Sequence, residues 1–204
     1  GPEQAKAALR DCLSIAADKA YLISGKGFGG SDTLATSYIL SCAIRKLEML
    51  EGPFDAIFCG KQAIDGDTAQ VGPEIAEHLG YPQIAYALEA EQMENTLRVR
   101  KETEGGFEIQ EAPLPCLVTF TKPSWPVRYP TIERKLEADQ AEITVLSEVD
   151  FPEIDPAKIG LRGSPTRVKK TFVPPQRKDG VRISEASAAE SALKLVALLA
   201  EATD

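Results

Sequence analysis

Hydrophobic positions in the first part of the chain alternate between helical spacing and short continuous apolar runs. Apolar runs with no polar alternation are typical of parallel strands that are covered on both faces, and strands that alternate with helices are typical of α/β folds. The predicted elements are a helix around residues 5–16, a strand Ala20–Ser24, a helix from Thr33 to about Leu47, a strand Phe54–Cys59 and a helix from about Thr68 to Leu79. The fold class expected is α/β with a parallel sheet.

The next segment, up to about residue 148, favours further strands. Gln83–Ala87 and Cys116–Thr121 are β-rich, and the turn sequence Glu104-Gly105-Gly106 between two alternating segments predicts a hairpin at the sheet edge. A short helix around 131–138 and a strand around 143–146 complete the compact part. Residues 1–148 are therefore expected to form one α/β domain.

Residues 149–204 differ from the preceding segment in composition and hydrophobic pattern. They are expected to form an extended arm that ends in a helix from about Glu185 to Glu201. The stretch Phe151–Arg182 is rich in proline and glycine and has little periodicity. Between Lys158 and Arg182 there are eight basic residues and one acidic residue. This charge favours either a docking arm for an acidic partner surface or a solvated linker.

Overall composition excludes several classes of protein. The 204 residues carry 31 acidic and 23 basic side chains, a net charge of −8, which argues against a nucleic-acid or membrane-surface protein. No apolar run approaches the length of a membrane span, so no membrane insertion is expected. Four widely separated cysteines and one histidine predict no metal site and no disulfide framework, which indicates a reducing compartment. Because the chain lacks an initial methionine and a signal peptide, a missing N-terminal segment is expected.

Gly25–Gly30 matches the G-x-G-x-x-G pattern between a predicted strand and a predicted helix. The acid that a dinucleotide site needs after the next strand is absent, because that strand ends in Cys59-Gly60-Lys61. The helix start Ser31-Asp32-Thr33, with Thr36 one turn on, can cap the helix or offer hydroxyls and amides to a phosphate.

The loop Gly60–Pro73 is the richest in polar groups and follows a buried strand, where parallel sheets bind ligands. Free amides at the following helix start can receive an anion near Asp67 and Thr68. Asp65 and Asp67 are alternatively metal ligands or an acid/base pair, although both need partners that the chain does not obviously supply. A purely structural loop is the remaining alternative. Outside this loop, Trp125 is either a contact anchor or packs on its own domain.

The stretch Cys59–Leu79, CGKQAIDGDTAQVGPEIAEHL, strongly resembles the signature of the β subunit of electron transfer flavoproteins. Four further stretches resemble that subunit in the same order: Gly1–Ala20, Gly30–Tyr38, Arg128–Thr131 and Gly160–Thr166. The resemblance implies a Rossmann-like adenine-nucleotide-binding domain that lacks its N-terminal strand and helix region. It also implies that the arm and the terminal helix dock on an α subunit in a heterodimer.

In that family the α subunit carries FAD and the β subunit holds a second nucleotide. The resemblance implies either AMP, a structural ligand in mitochondrial-type members, or a second FAD that accepts hydride from NADH in electron-bifurcating members. Ala69 stands where the AMP type has asparagine, so the loop is more similar to the bifurcating type. By the same resemblance, Asp67, Thr68, Gln70, Val71 and Gly72 would line the nucleotide site. Thr33 and Thr36 would hold the diphosphate, with no catalytic residue on this chain.

The function expected is electron transfer from NADH between the α-subunit flavin and a partner flavin dehydrogenase, such as acyl-CoA dehydrogenase or a related oxidoreductase. On this hypothesis the chain oxidises NADH only within its complex. The alternative is a structural AMP-binding subunit that only positions the α-subunit FAD for electron transfer from acyl-CoA dehydrogenases. The expected location is the bacterial cytoplasm, with the mitochondrial matrix as the alternative.

Overall fold

A computed structural model describes residues 1–64, 66–122, 126–173 and 180–201. The chain divides into two compact units, Gly1–Arg167 and Val168–Asp204. Residues 149–167, which the sequence analysis groups with the arm, belong to the first of these units. Asp65 and Trp125, named above as a candidate ligand and a candidate contact residue, lie outside the described residues.

The first unit alternates helices and strands, as the hydrophobic pattern predicts, and the α/β class is confirmed. A 3₁₀ turn at Glu3–Ala5 precedes the first helix. The elements are α1 (Lys6–Ile15), β1 (Tyr21–Ile23), α2 (Thr33–Glu51), β2 (Ala56–Gly60), α3 (Val71–Leu79), β3 (Gln83–Gln92), β4 (Thr96–Thr103), β5 (Gly106–Pro113), β6 (Cys116–Phe120), α4 (Ile132–Gln140), β7 (Thr144–Leu146) and α5 (Gly160–Gly163).

Within the described residues the strands form a larger sheet with the expected parallel part and, in addition, a separate two-stranded sheet. The larger sheet has the order β2-β6-β3-β4-β5, in which β2, β6 and β3 run parallel. The predicted hairpin is confirmed, because β4 pairs antiparallel with both β3 and β5. Short connections permit only antiparallel neighbours, so this half of the sheet cannot be parallel. The smaller sheet is the parallel pair β1 and β7.

Strand β6 is the middle of the three parallel strands of the larger sheet and is covered on both faces. Leu117 packs with Ile75 and Ala76 of α3, whereas Cys116 and Val118 pack into a second cluster with Ile84. Successive side chains of a strand point to opposite faces, so a strand buried on both sides has no polar alternation. The run Cys116–Phe120 accordingly shows none.

Helix α3 begins at Val71, three residues later than the sequence predicts. Pro73 explains the difference. It has no amide hydrogen to donate to the Ala69 carbonyl, and its ring would clash with that carbonyl if Ala69 were part of the helix. Proline is tolerated only in the first turn of a helix. Asp67 and Thr68 therefore lie in the loop before the helix and not in its first turn.

At the C-terminal end of α2, the side chain of Glu51 links this helix to the segment around β1. Its carboxylate accepts hydrogen bonds from the Lys19 ammonium and the Tyr21 hydroxyl. These two bonds hold the pKa of Glu51 below its ordinary value. The predicted N-cap of α2 is confirmed at its opposite end, where Asp32 accepts a bond from the Ala35 amide.

The second unit contains helix α6 (Ala188–Glu201), which begins three residues later than predicted. The Ser187 hydroxyl accepts from the Glu190 amide at 3.2 Å, so this serine caps the helix and sets its start. No residue of α6 is buried, and it exposes the large apolar side chains of Leu193, Leu195, Val196, Leu198 and Leu199. Across the described part of the chain, no helix combines the length and apolarity that crossing a membrane requires.

Candidate functional site: the loop between β2 and α3

The polar loop after β2 meets the N-terminus of α2. The Thr33 hydroxyl lies 3.2 Å from Gln70 Oε1 and 3.4 Å from Glu74 Oε1. Thr33 opens α2, Gln70 precedes α3, and Glu74 is one turn into α3, so the starts of two parallel helices converge here. This convergence places hydroxyl, amide and carboxylate groups together at the carboxyl edge of β2, where open α/β sheets bind ligands.

The two helix starts differ in how their amides are satisfied. Asp32 caps α2 with its carboxylate, whereas among the described residues the N-cap of α3, Gln70, makes no side-chain bond to the first turn. The unpaired amides at a helix start carry partial positive charge and bind anions. The start of α3 is therefore the more open anion-binding position of the two.

The loop is held in a conformation that ordinary residues adopt rarely. Asp67 and Ala69 have φ angles of 54° and 56°. Asp67 donates its amide to the Ala63 carbonyl at 3.1 Å, and its carboxylate accepts from the Gln62 side-chain amide. Aspartate visits this left-handed region routinely, so the strained residue of the loop is Ala69. Both Asp67 and Thr68 are exposed.

Gly72 has a packing reason for lacking a side chain. A Cβ at this position would lie 2.5 Å from Thr119 Cγ2 on β6, closer than any real contact. The neighbouring Val71 packs against the cluster of Ile75 and Leu117. Gly72 and Val71 thus seat the start of α3 on the sheet and set the height of the loop above it.

Thr36 lies apart from the loop. It lines a cavity of about 300 Å³ between β1 and α2, together with Gly1, Tyr21, Ile23, Phe28, Ser31, Ile39 and Leu40. None of the described loop residues lines this cavity. The structure therefore joins Thr33 to Gln70, but it does not bring Thr36 to the same group of side chains.

The glycine loop Gly25–Gly30 is filled by the chain's own groups. The Gly27 amide donates to the Glu148 carboxylate, and a Cβ at Gly25 would overlap that carboxylate. Gly160 has a φ of 59°, and a Cβ there would lie 2.4 Å from the Gly27 carbonyl oxygen. The glycines therefore permit the approach of an internal carboxylate and of a neighbouring backbone, which accounts for the motif without a dinucleotide.

Residues 1–151 match the family model described as "Electron transfer flavoprotein domain". The chain belongs to the electron transfer flavoprotein family. The resemblance to the β subunit is confirmed by relatives of that name. The "Electron transfer flavoprotein subunit beta" of Megasphaera elsdenii is 50% identical over 183 residues, which cover 89% of this chain and 67% of that protein.

Two other relatives of this electron transfer flavoprotein chain carry different names. "Protein FixA" of Bradyrhizobium diazoefficiens is 41% identical over 190 residues, covering 92% of this chain and 66% of that protein. "Caffeyl-CoA reductase-Etf complex subunit CarD" of Acetobacterium woodii is 39% identical over 201 residues, covering 98% and 75%. The chain thus spans about two thirds of the length of several curated relatives that it matches.

Two features beside the loop are not apparent from the sequence. Tyr86 has a φ of 63° where the β3–β6 register shifts, and its amide donates to Thr119 Oγ1 at 3.1 Å. The Lys61 ammonium lies 5.0 Å from the centre of the Tyr86 ring, a cation–π contact beside the start of the loop. No sequence signal marks a register shift inside an apolar strand. Glu74, by contrast, lies one helical turn after Gln70, so the sequence spacing alone could have predicted that the two side chains lie on the same face of the helix.

The four cysteines are free thiols. Cys12 is exposed, Cys42 and Cys59 are half-buried, and Cys116 is buried in the sheet. Desolvation raises the pKa of the Cys59 and Cys116 thiols, because burial disfavours the thiolate. These two behave as small apolar residues of the sheet.

Proposed function

We propose that this chain is the nucleotide-binding part of an electron transfer flavoprotein β subunit and that it holds an adenine nucleotide at the loop between β2 and α3. The observation that carries the proposal is the convergence of Thr33 and Gln70 beside the uncapped start of α3. A diphosphate is favoured there by free amides and by the helix dipole. The amides and the Thr33 hydroxyl therefore favour an anionic nucleotide, whereas the Glu74 carboxylate, 3.4 Å from that hydroxyl, requires the phosphates to lie on the side of Gln70.

The nucleotide proposed is FAD, with AMP as the alternative. Ala69 lies in the left-handed region, where asparagine is accommodated more easily than alanine, so alanine is not there for backbone reasons. A small apolar side chain instead leaves space and offers no amide to a ligand. Two relatives are named as parts of reductase systems, the CarD subunit and "Acryloyl-CoA reductase electron transfer subunit gamma" of Anaerotignum propionicum. These names support a redox complex with an acyl-CoA-type oxidoreductase.

Thr33 and Gln70, with the amides at the start of α3, would hold the diphosphate, and the remaining predicted residues Asp67, Thr68, Val71 and Gly72 would shape the loop around the adenosine. When bound, FAD would supply the exchange of electrons with NADH and with the α-subunit flavin, chemistry that no side chain provides. The chain's own residues bind and orient the nucleotide. Thr36 would contribute only if the nucleotide also reaches the cavity beside β1.

The first test is to co-express the full-length protein with its α partner, denature the purified heterodimer and quantify the released nucleotides by chromatography. Two FAD per heterodimer supports the proposal and makes electron bifurcation from NADH the working mechanism. One FAD with one AMP would contradict the proposal of a second FAD and support the alternative, a structural AMP-binding subunit. No nucleotide beyond the α-subunit FAD would contradict nucleotide binding at this loop.

A second test changes Ala69→Asn in the same complex. The backbone tolerates asparagine at this φ, so we expect a folded protein in which the ratio of AMP to FAD rises severalfold. Ala63→Asn is the matched control, because Ala63 is an exposed alanine of the same loop with no left-handed φ. An unchanged nucleotide ratio in Ala69→Asn would remove this position as the determinant of nucleotide choice.

The partner proposed is the α subunit, bound through the second unit. Its helix α6 exposes an apolar surface that costs free energy in water, and a partner surface would cover it. Phe151 and Ile159 are buried in the first unit, so a truncation should begin at Val168 rather than earlier. We expect a protein that ends at Arg167 to retain its circular dichroism spectrum but to lose co-purification with α. Retained co-purification would contradict docking through the second unit.

A further inference from the structure

The carboxylate of Asp32 makes more contacts than a helix cap needs. Its Oδ1 accepts from the Ala35 amide at 3.1 Å, which is the capping bond. Its Oδ2 accepts from the Thr166 amide at 3.0 Å and from the Thr166 hydroxyl at 2.7 Å. The second oxygen therefore binds a segment more than a hundred residues away in the chain.

A second set of bonds joins the same two segments. The Asp32 amide donates to the Ser164 hydroxyl at 2.8 Å, and that hydroxyl lies 2.7 Å from the Gly160 carbonyl oxygen. The Gly160 amide donates to the Ser31 hydroxyl at 3.0 Å. Ser164 is 5% exposed, so these bonds are largely shielded from water. Residues 160–166 are thus held at both ends against the two residues that precede α2.

The bonds also determine the charge state at this point. Partial desolvation tends to raise the pKa of Asp32, but the hydrogen bonds from Thr166 and from the Ala35 and Leu34 amides outweigh it and keep the pKa below its ordinary value. The carboxylate is therefore ionised next to a position proposed to receive a diphosphate. The donors on both of its oxygens stabilise that charge through charge-assisted hydrogen bonds and fix where the carboxylate lies.

We propose that Asp32 is a positioning residue for the nucleotide site: its carboxylate holds residues 160–166 against the start of α2 and thereby fixes Thr33 in contact with Gln70. This inference rests on the proposed function, because it concerns the same site. Thr33 follows Asp32 directly in the chain, so any rotation of the Asp32 backbone moves the Thr33 hydroxyl. The clasp, defined as the bonds from Asp32 and Ser31 to residues 160–166, fixes that backbone.

Asp32→Asn separates the clasp from the cap. Asparagine caps helices about as well as aspartate, so its oxygen can keep the Ala35 bond. Its amide group is a donor and would then face the Thr166 backbone amide, also a donor, so the bond from that amide is lost. The Thr166 hydroxyl could still accept from the new amide, but as a neutral bond in place of a charge-assisted one. Asp18→Asn is the matched control, since it removes the same charge from an exposed loop before β1.

Two readouts on the full-length heterodimer test the proposal. Hydrogen exchange of the peptide spanning 160–167 should become about tenfold faster in Asp32→Asn, as expected for loss of bonds to a charged acceptor, and unchanged in Asp18→Asn. The dissociation constant for the nucleotide found in the purified complex should rise about tenfold in Asp32→Asn and stay unchanged in Asp18→Asn. If Asp32→Asn binds the nucleotide with the same dissociation constant as the wild type, the positioning role is overturned.

Thr166→Val distinguishes positioning from general destabilisation. It removes the hydroxyl bond, so we expect a smaller loss of affinity than in Asp32→Asn and, in the double variant, no further loss. Losses that add fully would mean that the two residues act independently and would overturn the clasp. If the wild-type complex holds no nucleotide in this subunit, the proposed function fails, and the exchange measurement still decides whether the clasp exists.

Discussion

Gly72 offers the sharpest test of how α3 is seated on the sheet. In Gly72→Ala the new Cβ would lie 2.5 Å from Thr119 Cγ2 and 3.7 Å from Cys59 Cβ and Leu117 Cδ2. Thr119 is 1% exposed, and its hydroxyl accepts the Tyr86 amide, so it cannot rotate away without breaking that bond. Either α3 moves or the hydrogen bond is lost.

The size of the effect follows from these two responses. Overpacking a buried site costs about 1–3 kcal/mol. Leaving the partly buried Tyr86 amide without an acceptor costs at most about 1–3 kcal/mol. Replacing glycine by alanine in a helix returns at most about 1 kcal/mol. The free energy of unfolding should therefore fall by about 1–2 kcal/mol, which lowers the melting temperature by about 2–8 °C in a unit of this size.

Thermal unfolding followed by circular dichroism measures the loss, with Gly105→Ala as the control because nothing lies within 4 Å of its Cβ position. Thr119→Ser keeps the hydroxyl and removes the methyl group that the alanine would meet. The double variant Gly72→Ala/Thr119→Ser should recover at least half of the lost stability. A Gly72→Ala protein as stable as Gly105→Ala, or a double variant whose losses simply add, would refute the packing explanation.

The remaining predictions concern packing, pH and thiol access. Gly160→Ala should lower stability by more than about 2 kcal/mol, because its φ is left-handed and the clash is with backbone, while Gly180→Ala should be neutral in the same urea titration. Because the ammonium and phenol partners of Glu51 lower its pKa, their stabilisation is present at neutral pH and disappears as pH falls through that lowered pKa. Glu51→Gln should therefore have a lower free energy of unfolding than wild type at pH 7, and this difference should shrink in acid. Equilibrium unfolding measured across a range of pH tests both expectations. Iodoacetamide at pH 8 should alkylate exposed Cys12 well before Cys116, whose pKa burial raises; equal labelling by mass spectrometry would contradict the burial of Cys116.

The sequence predicts elements whose cause is local. The cap at Asp32, the apolar run of β6 and the hairpin at Gly105 and Gly106 each depend on neighbouring residues, and all are found close to their expected places. The polar loop after β2 is also found at the carboxyl end of a parallel strand. Local propensity and hydrophobic period are sufficient for such features.

What the sequence does not predict depends on contacts between distant segments. The bond from Thr166 to Asp32, the carboxylate of Glu148 in the glycine loop and the left-handed backbone of Tyr86 all arise only when the chain folds back on itself. The late start of α3 is a prediction error of a different kind, because its cause is visible in the sequence. Pro73 is tolerated only in the first turn of a helix, so the helix could not begin as early as Thr68. The packing of His78, which is half-buried with its ring 5.8 Å from that of Tyr38, is another contact between separate helices.

The pairing of β1 with β7 has a consequence for synthesis on the ribosome. Tyr21 pairs with Thr144, so β1 must wait for the intervening chain before its partner exists. At about 5–20 residues per second, that delay is roughly 6–25 s. The hairpin strands β3, β4 and β5 can pair almost as soon as they emerge, because their contacts are local. During the delay β1 presents an open strand edge, and slowing translation between β1 and β7 should therefore increase aggregation of the nascent chain.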